Sequence, residues 1–107
     1  MEHEVRDEGR FTVVVLKGDV DMQCSPQARK IILASLELTR PLLVDLSGVS
    51  YMDSSGVASL VEGLQLAKKR NLVFALAGAS TPVMSVLRLA RLDKVFTLYA
   101  TLEDALV

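Results

Sequence analysis

The residues best suited to chemistry lie in one short segment, Asp53-Ser54-Ser55-Gly56. A serine becomes a nucleophile when a base, normally histidine or lysine, lies within hydrogen-bond reach, and the only titratable neighbour here is Asp53. A carboxylate is a weak base at neutral pH. The chain also lacks the GxxxxGKS/T and GxGxxG phosphate-binding motifs. We therefore expect no catalytic residue and a protein that is not an enzyme.

Other roles remain open for this segment. Asp53, Ser54 or Ser55 could cap a following helix, an interaction worth about 1 kcal/mol that needs only one oxygen. A serine hydroxyl exposed at a helix N-terminus is also suited to receive a phosphate, because free amides and the positive dipole end favour the added charge of about −1.5 to −2. Binding of a small ligand or nucleotide by the same loop is a further alternative, which calorimetry with nucleotides would test.

The remaining reactive side chains are few. A single cysteine, Cys24, excludes an internal disulfide framework and multi-cysteine metal sites, and we expect it to be a small buried or half-buried side chain. The single histidine, His3, lies in the first few residues, which is a poor position for a catalytic base or a metal ligand. The sequence therefore predicts no metal site and no cofactor.

Positive and negative charges nearly cancel, since 12 Lys+Arg and 13 Asp+Glu give a formal net charge of −1. This balance provides no general attraction to nucleic acid or to an anionic membrane surface. The N-terminus is charged, and no later segment approaches the roughly 20 apolar residues of a membrane span. We expect a cytoplasmic protein with no nucleic-acid partner and no direct membrane insertion.

Three short apolar runs predict buried strands at residues 11–16, 42–46 and 72–77, and residues 95–99 predict a last short strand. The first run is expected to end at Lys17 and Gly18. Residues 3–6 precede it across the turn signal Asp7-Glu8-Gly9-Arg10, which predicts an antiparallel hairpin whose first strand lies at a sheet edge.

Helices are predicted between the strands from apolar residues at three- and four-residue spacing. The first follows an N-cap, Ser25, with Pro26 behind it, and the third follows Ser80-Thr81-Pro82. The second ends at Lys68-Lys69-Arg70, and residues 102–107 predict a terminal helical turn. The predicted buried stripes are Ala28, Ile31, Ile32, Ser35 and Leu36, then Val57, Leu60, Val61, Leu64 and Ala67, then Val83, Val86, Leu87 and Ala90.

The alternation of strands and helices predicts one α/β domain with right-handed crossovers onto a mainly parallel sheet. Residues 47–53 are predicted to form a turn-like loop after a buried strand, with Tyr51 and Met52 as an exposed apolar pair. Loops at the carboxyl ends of strands are where α/β proteins meet ligands and partners. This position makes the segment around Ser54 the candidate site.

The sequence VDLSGVSYMDSSGVASL resembles the signature of the STAS domain of bacterial anti-sigma-factor antagonists. Gly18-Asp19-Val20-Asp21 is similar to the family's Gly-acid-aliphatic-Asp segment, and residues 87–96, LRLARLDKVF, resemble its passage from a helix into the last strand. The resemblance implies one STAS domain over residues 1–107, with a four- or five-stranded mixed sheet flanked by helices. It also implies a regulatory role through protein–protein contact, without catalysis.

Carried over to this sequence, the family's phosphorylated serine is Ser54. The resemblance implies that the unphosphorylated protein binds an anti-sigma factor that is also a serine kinase and so frees a sigma factor. It further implies that phosphorylation ends this binding and that a PP2C-like phosphatase restores it. The residues expected to contact the partner are Asp21, Met52, Asp53, Ser54, Ser55 and Gly56.

A second role is an alternative, because related STAS domains are small subunits that bind the ATPase of lipid-transport ABC systems of the Mla type. The predicted helix over residues 57–69 could contact an ATPase as readily as a kinase. The complete Asp-Ser-Ser-Gly motif favours the phosphorylation switch. A neighbouring kinase or phosphatase gene would support the switch, and permease and ATPase genes would support transport. We expect a monomer, since no apolar helix face is left over.

Overall fold

The computed structural model describes all 107 residues as a five-stranded sheet with four helices. The strands lie in the order β1-β2-β3-β4-β5, with β1 antiparallel to β2 and every other neighbouring pair parallel. This confirms the predicted single α/β domain with a mixed, mainly parallel sheet. The elements are β1 (Glu2–Glu8), β2 (Phe11–Val20), α1 (Ser25–Leu36), β3 (Leu42–Met52), α2 (Ser54–Lys69), β4 (Phe74–Ala77), α3 (Thr81–Leu89), β5 (Thr97–Tyr99) and α4 (Leu102–Leu106).

The apolar stripes of α1, α2 and α3 pack on one face of the sheet, as their spacing predicts, except that Ala90 lies after the end of α3 and is exposed. The opposite face carries a smaller core, and α4 contributes Ala105 to it. Alternate residues of the central strands therefore reach different cores: Val14 belongs to the first and Val13 to the second. Burial on both faces explains why the central strands are continuously apolar instead of alternating. None of the helices is both long and apolar enough to cross a membrane.

The predicted N-terminal hairpin is confirmed, and its first strand is longer than residues 3–6. Strand β1 pairs with β2 over seven consecutive positions, from Glu2 opposite Lys17 to Glu8 opposite Phe11. Gly9 has a φ of 58° in the turn, a conformation that glycine adopts without steric cost. The strand lies at the edge of the sheet, as expected for so polar a segment.

The predicted ends of β2 and β3 are wrong. Strand β2 continues through Gly18 to Val20, and residues 47–52 are the second half of β3 instead of a loop. The two extensions pair in parallel, with Gly18 opposite Val49 and Val20 opposite Met52, through two register irregularities. The polar residues in this part of β3 do not fit the pattern of a buried strand. Pairing with β2, more than the composition of the segment, makes these residues a strand.

Smaller corrections concern the helix starts and the two last strands. Ser25 is the first residue of α1, not its N-cap; Cys24 occupies that position, and no side chain caps the helix. Ser80 is the N-cap of α3 by position, but its hydroxyl does not cap the helix. Strands β4 and β5 begin at Phe74 and Thr97, two residues later than predicted.

Candidate functional site

The carboxyl ends of strands β2 and β3 lie side by side, so the loops that lead into α1 and α2 are neighbours. The backbone amide of Asp53, directly after β3, donates to the carbonyl of Val20, the last residue of β2, at 3.4 Å. The candidate segment is therefore fixed to the end of β2. This arrangement follows from the parallel pairing of the two strands, which carries both chain exits to the same place.

The Asp53 carboxylate joins the β2–α1 loop to the start of α2 by accepting four hydrogen bonds. Its Oδ1 accepts from the amides of Ser55 at 2.9 Å and Gly56 at 3.2 Å, and from the Ser55 hydroxyl at 2.5 Å. Its Oδ2 accepts from the amide of Met22 at 3.2 Å. One carboxylate thus caps α2 and fastens the β2–α1 loop to it, which confirms the capping interpretation for Asp53.

These hydrogen bonds lower the pKa of the Asp53 carboxyl. The largest cause is the hydrogen bond from the Ser55 hydroxyl, with further contributions from the amides of Gly56, Ser55 and Met22 against the opposing effect of desolvation. Each donor favours the charged form of the acid. Asp53 is therefore a carboxylate at neutral pH, and a lowered pKa makes it a still weaker general base.

The two serines that follow Asp53 differ in their contacts. Ser55 is half-buried, and its hydroxyl donates to Asp53. Ser54 is exposed at the first position of α2, and its hydroxyl makes no hydrogen bond within the protein. The side chain of Ser54 is therefore available to another molecule, whereas that of Ser55 contributes to the cap.

Asp21 shapes the neighbouring loop through a similar contact. Its Oδ1 accepts from the amides of Gln23 at 3.0 Å and Cys24 at 3.1 Å, which forms an Asx-type turn before α1. Asp21 and Cys24 are both half-buried. Between them Met22 is 76% exposed, with its amide held by Asp53. The structure thus brings the loops of Asp21 and Asp53 together through the backbone of Met22.

Met22 is an exposed residue that the sequence pattern did not single out, because methionine side chains usually fill gaps in the core. Its place directly after the turn-forming Asp21, with no apolar neighbour at helical spacing, was the available signal. A large apolar side chain this exposed, on a residue whose amide is bonded to Asp53, is a candidate contact for another protein.

The expectation that Met52 is exposed is wrong. Met52 is 1% exposed and belongs to the main core, whereas Tyr51 is 50% exposed as predicted. The two residues lie in a strand, so their side chains point to opposite faces of the sheet. Gly56 is also buried: a Cβ there would lie 2.6 Å from Cγ of Met52 and 2.6 Å from the carbonyl oxygen of Val20. Met52 and Gly56 are therefore buried beneath the start of α2 and do not belong to the exposed surface of the site.

Helix α2 is tied to α1 beside the candidate segment. The Ser59 hydroxyl lies 3.1 Å from the carbonyl oxygen of Ser25 and 3.2 Å from that of Ser55, and Arg29 forms an ion pair with Glu62. These residues line a shallow groove of about 300 Å³ between the helices. The start of α2 is thus held by β2, by the β2–α1 loop and by α1, so Ser54 projects from a fixed support.

Comparison with known proteins agrees with this architecture. A family model, the STAS domain, matches residues 2–105. An anti-sigma factor antagonist from Mycobacterium paratuberculosis has 33% identity over 98% of this chain and 90% of its own, with a TM-score of 0.89. An anti-sigma-factor antagonist (STAS) domain protein from Planctomyces limnophilus has 28% identity over 97% of this chain and 94% of its own, with a TM-score of 0.87.

The Bacillus cell fate determinant SpoIIAA, in its phosphorylated form, is similar in fold. It has 21% identity over 97% of this chain and 96% of its own, with a TM-score of 0.75. The family model and the M. paratuberculosis structure both cover nearly the whole chain, and they confirm the resemblance seen in the sequence around Ser54. This chain belongs to the STAS domain family.

Proposed function

We propose that this protein is an anti-sigma-factor antagonist that works as a non-catalytic phosphorylation switch. In its unphosphorylated form it binds an anti-sigma factor that is also a serine kinase, and this binding releases the sigma factor. Phosphorylation of Ser54 ends the binding, and a PP2C-like phosphatase restores it. Support for the antagonist role comes from the similar proteins of M. paratuberculosis and P. limnophilus, both of which are anti-sigma factor antagonists by name.

The observation that carries this proposal is the contrast between two adjacent hydroxyl groups. Ser54 is exposed and its hydroxyl is unbonded, whereas the Ser55 hydroxyl donates to Asp53 at 2.5 Å. A kinase can reach the first without breaking any contact of the fold. Modification of the second would remove a donor from the cap of α2.

A phosphate on Ser54 would be added where negative charge is already present. The Asp53 carboxylate precedes it and accepts hydrogen bonds from the amides of Ser55 and Gly56, so these two amides at the start of α2 are not free to bind a phosphate. The new charge of about −1.5 to −2 therefore lies outside the cap, against the Asp53 carboxylate and toward solvent. A partner surface fitted to a neutral hydroxyl would have to desolvate that charge, which disfavours binding.

We place the contact surface for the partner on the exposed parts of the two joined loops. Ser54 lies at its centre, Met22 provides an apolar side chain, and Asp21 provides a half-buried carboxylate. Asp53 and Ser55 act mainly by positioning these groups through the cap.

Met52 and Gly56 enter this surface only indirectly. Both are buried, so we assign them a supporting role beneath the start of α2. Substituting either would change partner binding through the position of Ser54, not through a lost contact.

This role requires no catalysis by the chain itself. Asp53 is the one titratable group bonded to a hydroxyl at the site, and its lowered pKa makes it a poor acceptor for a proton from serine. Ser54 is in this view a substrate for another enzyme, and the proposed change on phosphorylation is electrostatic.

The test begins with the serine kinases encoded near the gene. Each is incubated with ATP and the wild-type protein, Ser54→Ala or Ser55→Ala, and phosphopeptides are located by mass spectrometry. We expect one phosphate on Ser54 in the wild type and in Ser55→Ala, and none in Ser54→Ala. Calorimetry with the responsive kinase should show that Ser54→Asp binds about tenfold more weakly or worse, and that Ser54→Ala binds as the wild type does.

Two outcomes would contradict the proposal. Equal affinity of Ser54→Asp and Ser54→Ala for the kinase would remove the switch. Absence of phosphorylation, together with tight binding to the ATPase of a lipid-transport ABC system, would favour the transport role instead.

A further inference from the structure

Strand β1 is an edge strand with no neighbour on its outer side. It pairs with β2 over seven consecutive positions without a register shift. Edge strands that avoid association are usually short, interrupted by a bulge, or protected by charged side chains or proline. The sequence of β1, EHEVRDE, contains no proline, and its five charged residues include both signs, so they oppose any strand except one whose charges match them. Its outer N–H and C=O groups therefore form a long, regular edge that can accept another strand.

We propose that β1 pairs with β1 of a second copy of this chain, in antiparallel orientation about a two-fold axis through Val5. The resulting homodimer has one continuous ten-stranded sheet. An axis perpendicular to the sheet keeps every side chain on its own face, so two residues that face each other must both be even-numbered or both odd-numbered. This condition leaves only a few registers to compare.

The charges select one of these registers. With Val5 on the axis, Glu4 faces Arg6 of the second copy, His3 faces Asp7, and each pair occurs twice. A shift by one allowed step in either direction places Glu4 against Glu4 or Arg6 against Arg6 at the centre, where like charges are destabilising. Only Glu2 and Glu8 meet unfavourably in the proposed register, at the two ends of the strand pair.

The side chains of β1 are positioned for this pairing. Val5 is 45% exposed, and an apolar contact on the axis would cover it. Arg6 already binds Glu4 at 3.3 Å and Glu8 at 3.0 Å in its own strand, so pairing would extend these contacts into a network across two strands. Asp7 is bonded to Arg40 at 2.9 Å, so we expect its pairing with His3 to contribute less. Each β1 carries four acids and one arginine, so the ion pairs of this register have to offset repulsion between two acidic strands, which makes the dimer sensitive to register.

This dimer leaves the candidate site unobstructed. Ser54 follows the carboxyl end of β3, two strands away from the dimer edge. Because the two β1 strands run in opposite directions, the two Ser54 side chains lie at opposite ends of the joined sheet. The proposal is therefore independent of the proposed function, and it replaces the monomer expected from the helix faces with association through a sheet edge.

Sedimentation velocity across a micromolar to millimolar series tests the proposal. We expect the wild type to form a species of twice the 11.6 kDa chain mass. Glu4→Arg and Arg6→Glu each set like charges opposite one another twice, and each should weaken the dimer by about tenfold or more. The double variant Glu4→Arg/Arg6→Glu restores opposite charges at both places and should dimerise as the wild type does. Thermal unfolding of each variant checks that the fold is retained.

Cross-linking provides a second measurement. Opposite residues of an antiparallel pair have Cα atoms about 4.5–5.5 Å apart, within the range of a disulfide. In a Cys24→Ser background, Val5→Cys should therefore form an intermolecular disulfide. The matched control is His3→Cys, whose two copies would have Cα atoms about 14 Å apart.

The proposal fails if the wild type stays monomeric at millimolar concentration. It also fails if the double variant dissociates like the single ones, or if His3→Cys cross-links as fast as Val5→Cys.

Discussion

Two junctions between a strand and the following helix, both at the carboxyl ends of the parallel strands, use similar residues in different ways. At the junction from β3 to α2, Asp53 caps the helix with its carboxylate and Ser54 is left unbonded. At the junction from β4 to α3, Ser80 is the N-cap by position, but its hydroxyl donates to the carbonyl of Val49 in β3 at 3.1 Å. The first junction leaves a hydroxyl available, and the second uses its hydroxyl to hold a loop against the sheet.

The third helical residue differs as well. In α2 it is Gly56, which lets the helix start approach Met52 and the backbone of Val20. In α3 it is Val83, a fully buried side chain of the main core. The comparison shows how a serine hydroxyl can stay free of hydrogen bonds at a fixed helix start. At α2 the Asp53 carboxylate and the close packing of Gly56 hold the first turn, so the Ser54 hydroxyl is not needed for that purpose.

The largest expected effect comes from filling that close approach. Gly56→Ala should lower the free energy of unfolding by about 1–3 kcal/mol, because its Cβ would lie 2.6 Å from both Met52 Cγ and the Val20 oxygen. Helix propensity alone predicts the opposite sign, since alanine is favoured over glycine by roughly 1 kcal/mol inside a helix. Urea unfolding of the variant and the wild type measures the difference.

A matched control keeps this prediction specific. Ala58→Gly alters an exposed position of the same helix and should cost about 1 kcal/mol through propensity alone. If Gly56→Ala is as stable as the wild type or more stable, the start of α2 is not closely packed on β2 and β3, and the contrast between the two junctions loses its basis.

The sequence predicts this region well where the signal is local and poorly where it depends on contacts with other strands. The order of strands and helices and the presence of a cap at Asp53, Ser54 or Ser55 follow from composition, spacing and turn chemistry, and the structure assigns the cap to Asp53. The extension of β3 to Met52 does not, because residues 47–52 become a strand by pairing with β2. Burial of Met52 depends on the same pairing, since strand geometry decides which of two adjacent apolar residues faces the core.

The difference between Ser54 and Ser80 lay equally beyond sequence reasoning. Both are serines before or at the start of a helix, and local patterns treat them alike. The acceptor of the Ser80 hydroxyl is the carbonyl of Val49, 31 residues earlier in the chain. Whether this hydrogen bond forms therefore depends on how β3 and α3 lie in the fold. Parallel sheets make such contacts common, because distant loops meet at one edge.

An intermediate effect is expected from the charge of Asp53. Its pKa is lower in the folded protein than its ordinary value of 3.8, so its contribution to stability is fully present above that value and is lost as pH falls through the folded pKa. Asp53→Asn keeps a capping side chain and removes the charge. The wild type should therefore be more stable than Asp53→Asn at pH 7, and the difference should shrink below about pH 4.

The control for this experiment is Asp19→Asn, which removes one negative charge from an exposed side chain near the same edge. Urea midpoints from pH 7 to pH 2 are compared for the three proteins. A gap between the wild type and Asp53→Asn that stays constant through the acid range would show that the carboxylate adds nothing beyond a neutral cap.

The smallest effects are expected from removing each of the two serine hydroxyls, Ser80 and Ser54, in turn. Ser80→Ala removes the donor to the Val49 carbonyl and should lower the free energy of unfolding by about 1 kcal/mol. Ser54→Ala removes a hydroxyl that has no partner and should change it by less than about 0.5 kcal/mol. Thermal and urea unfolding of both variants at pH 7 provide the measurement. If Ser54→Ala costs as much as Ser80→Ala, the Ser54 hydroxyl serves the fold, and a modification there would act by destabilising α2 instead of by adding charge to a fixed surface.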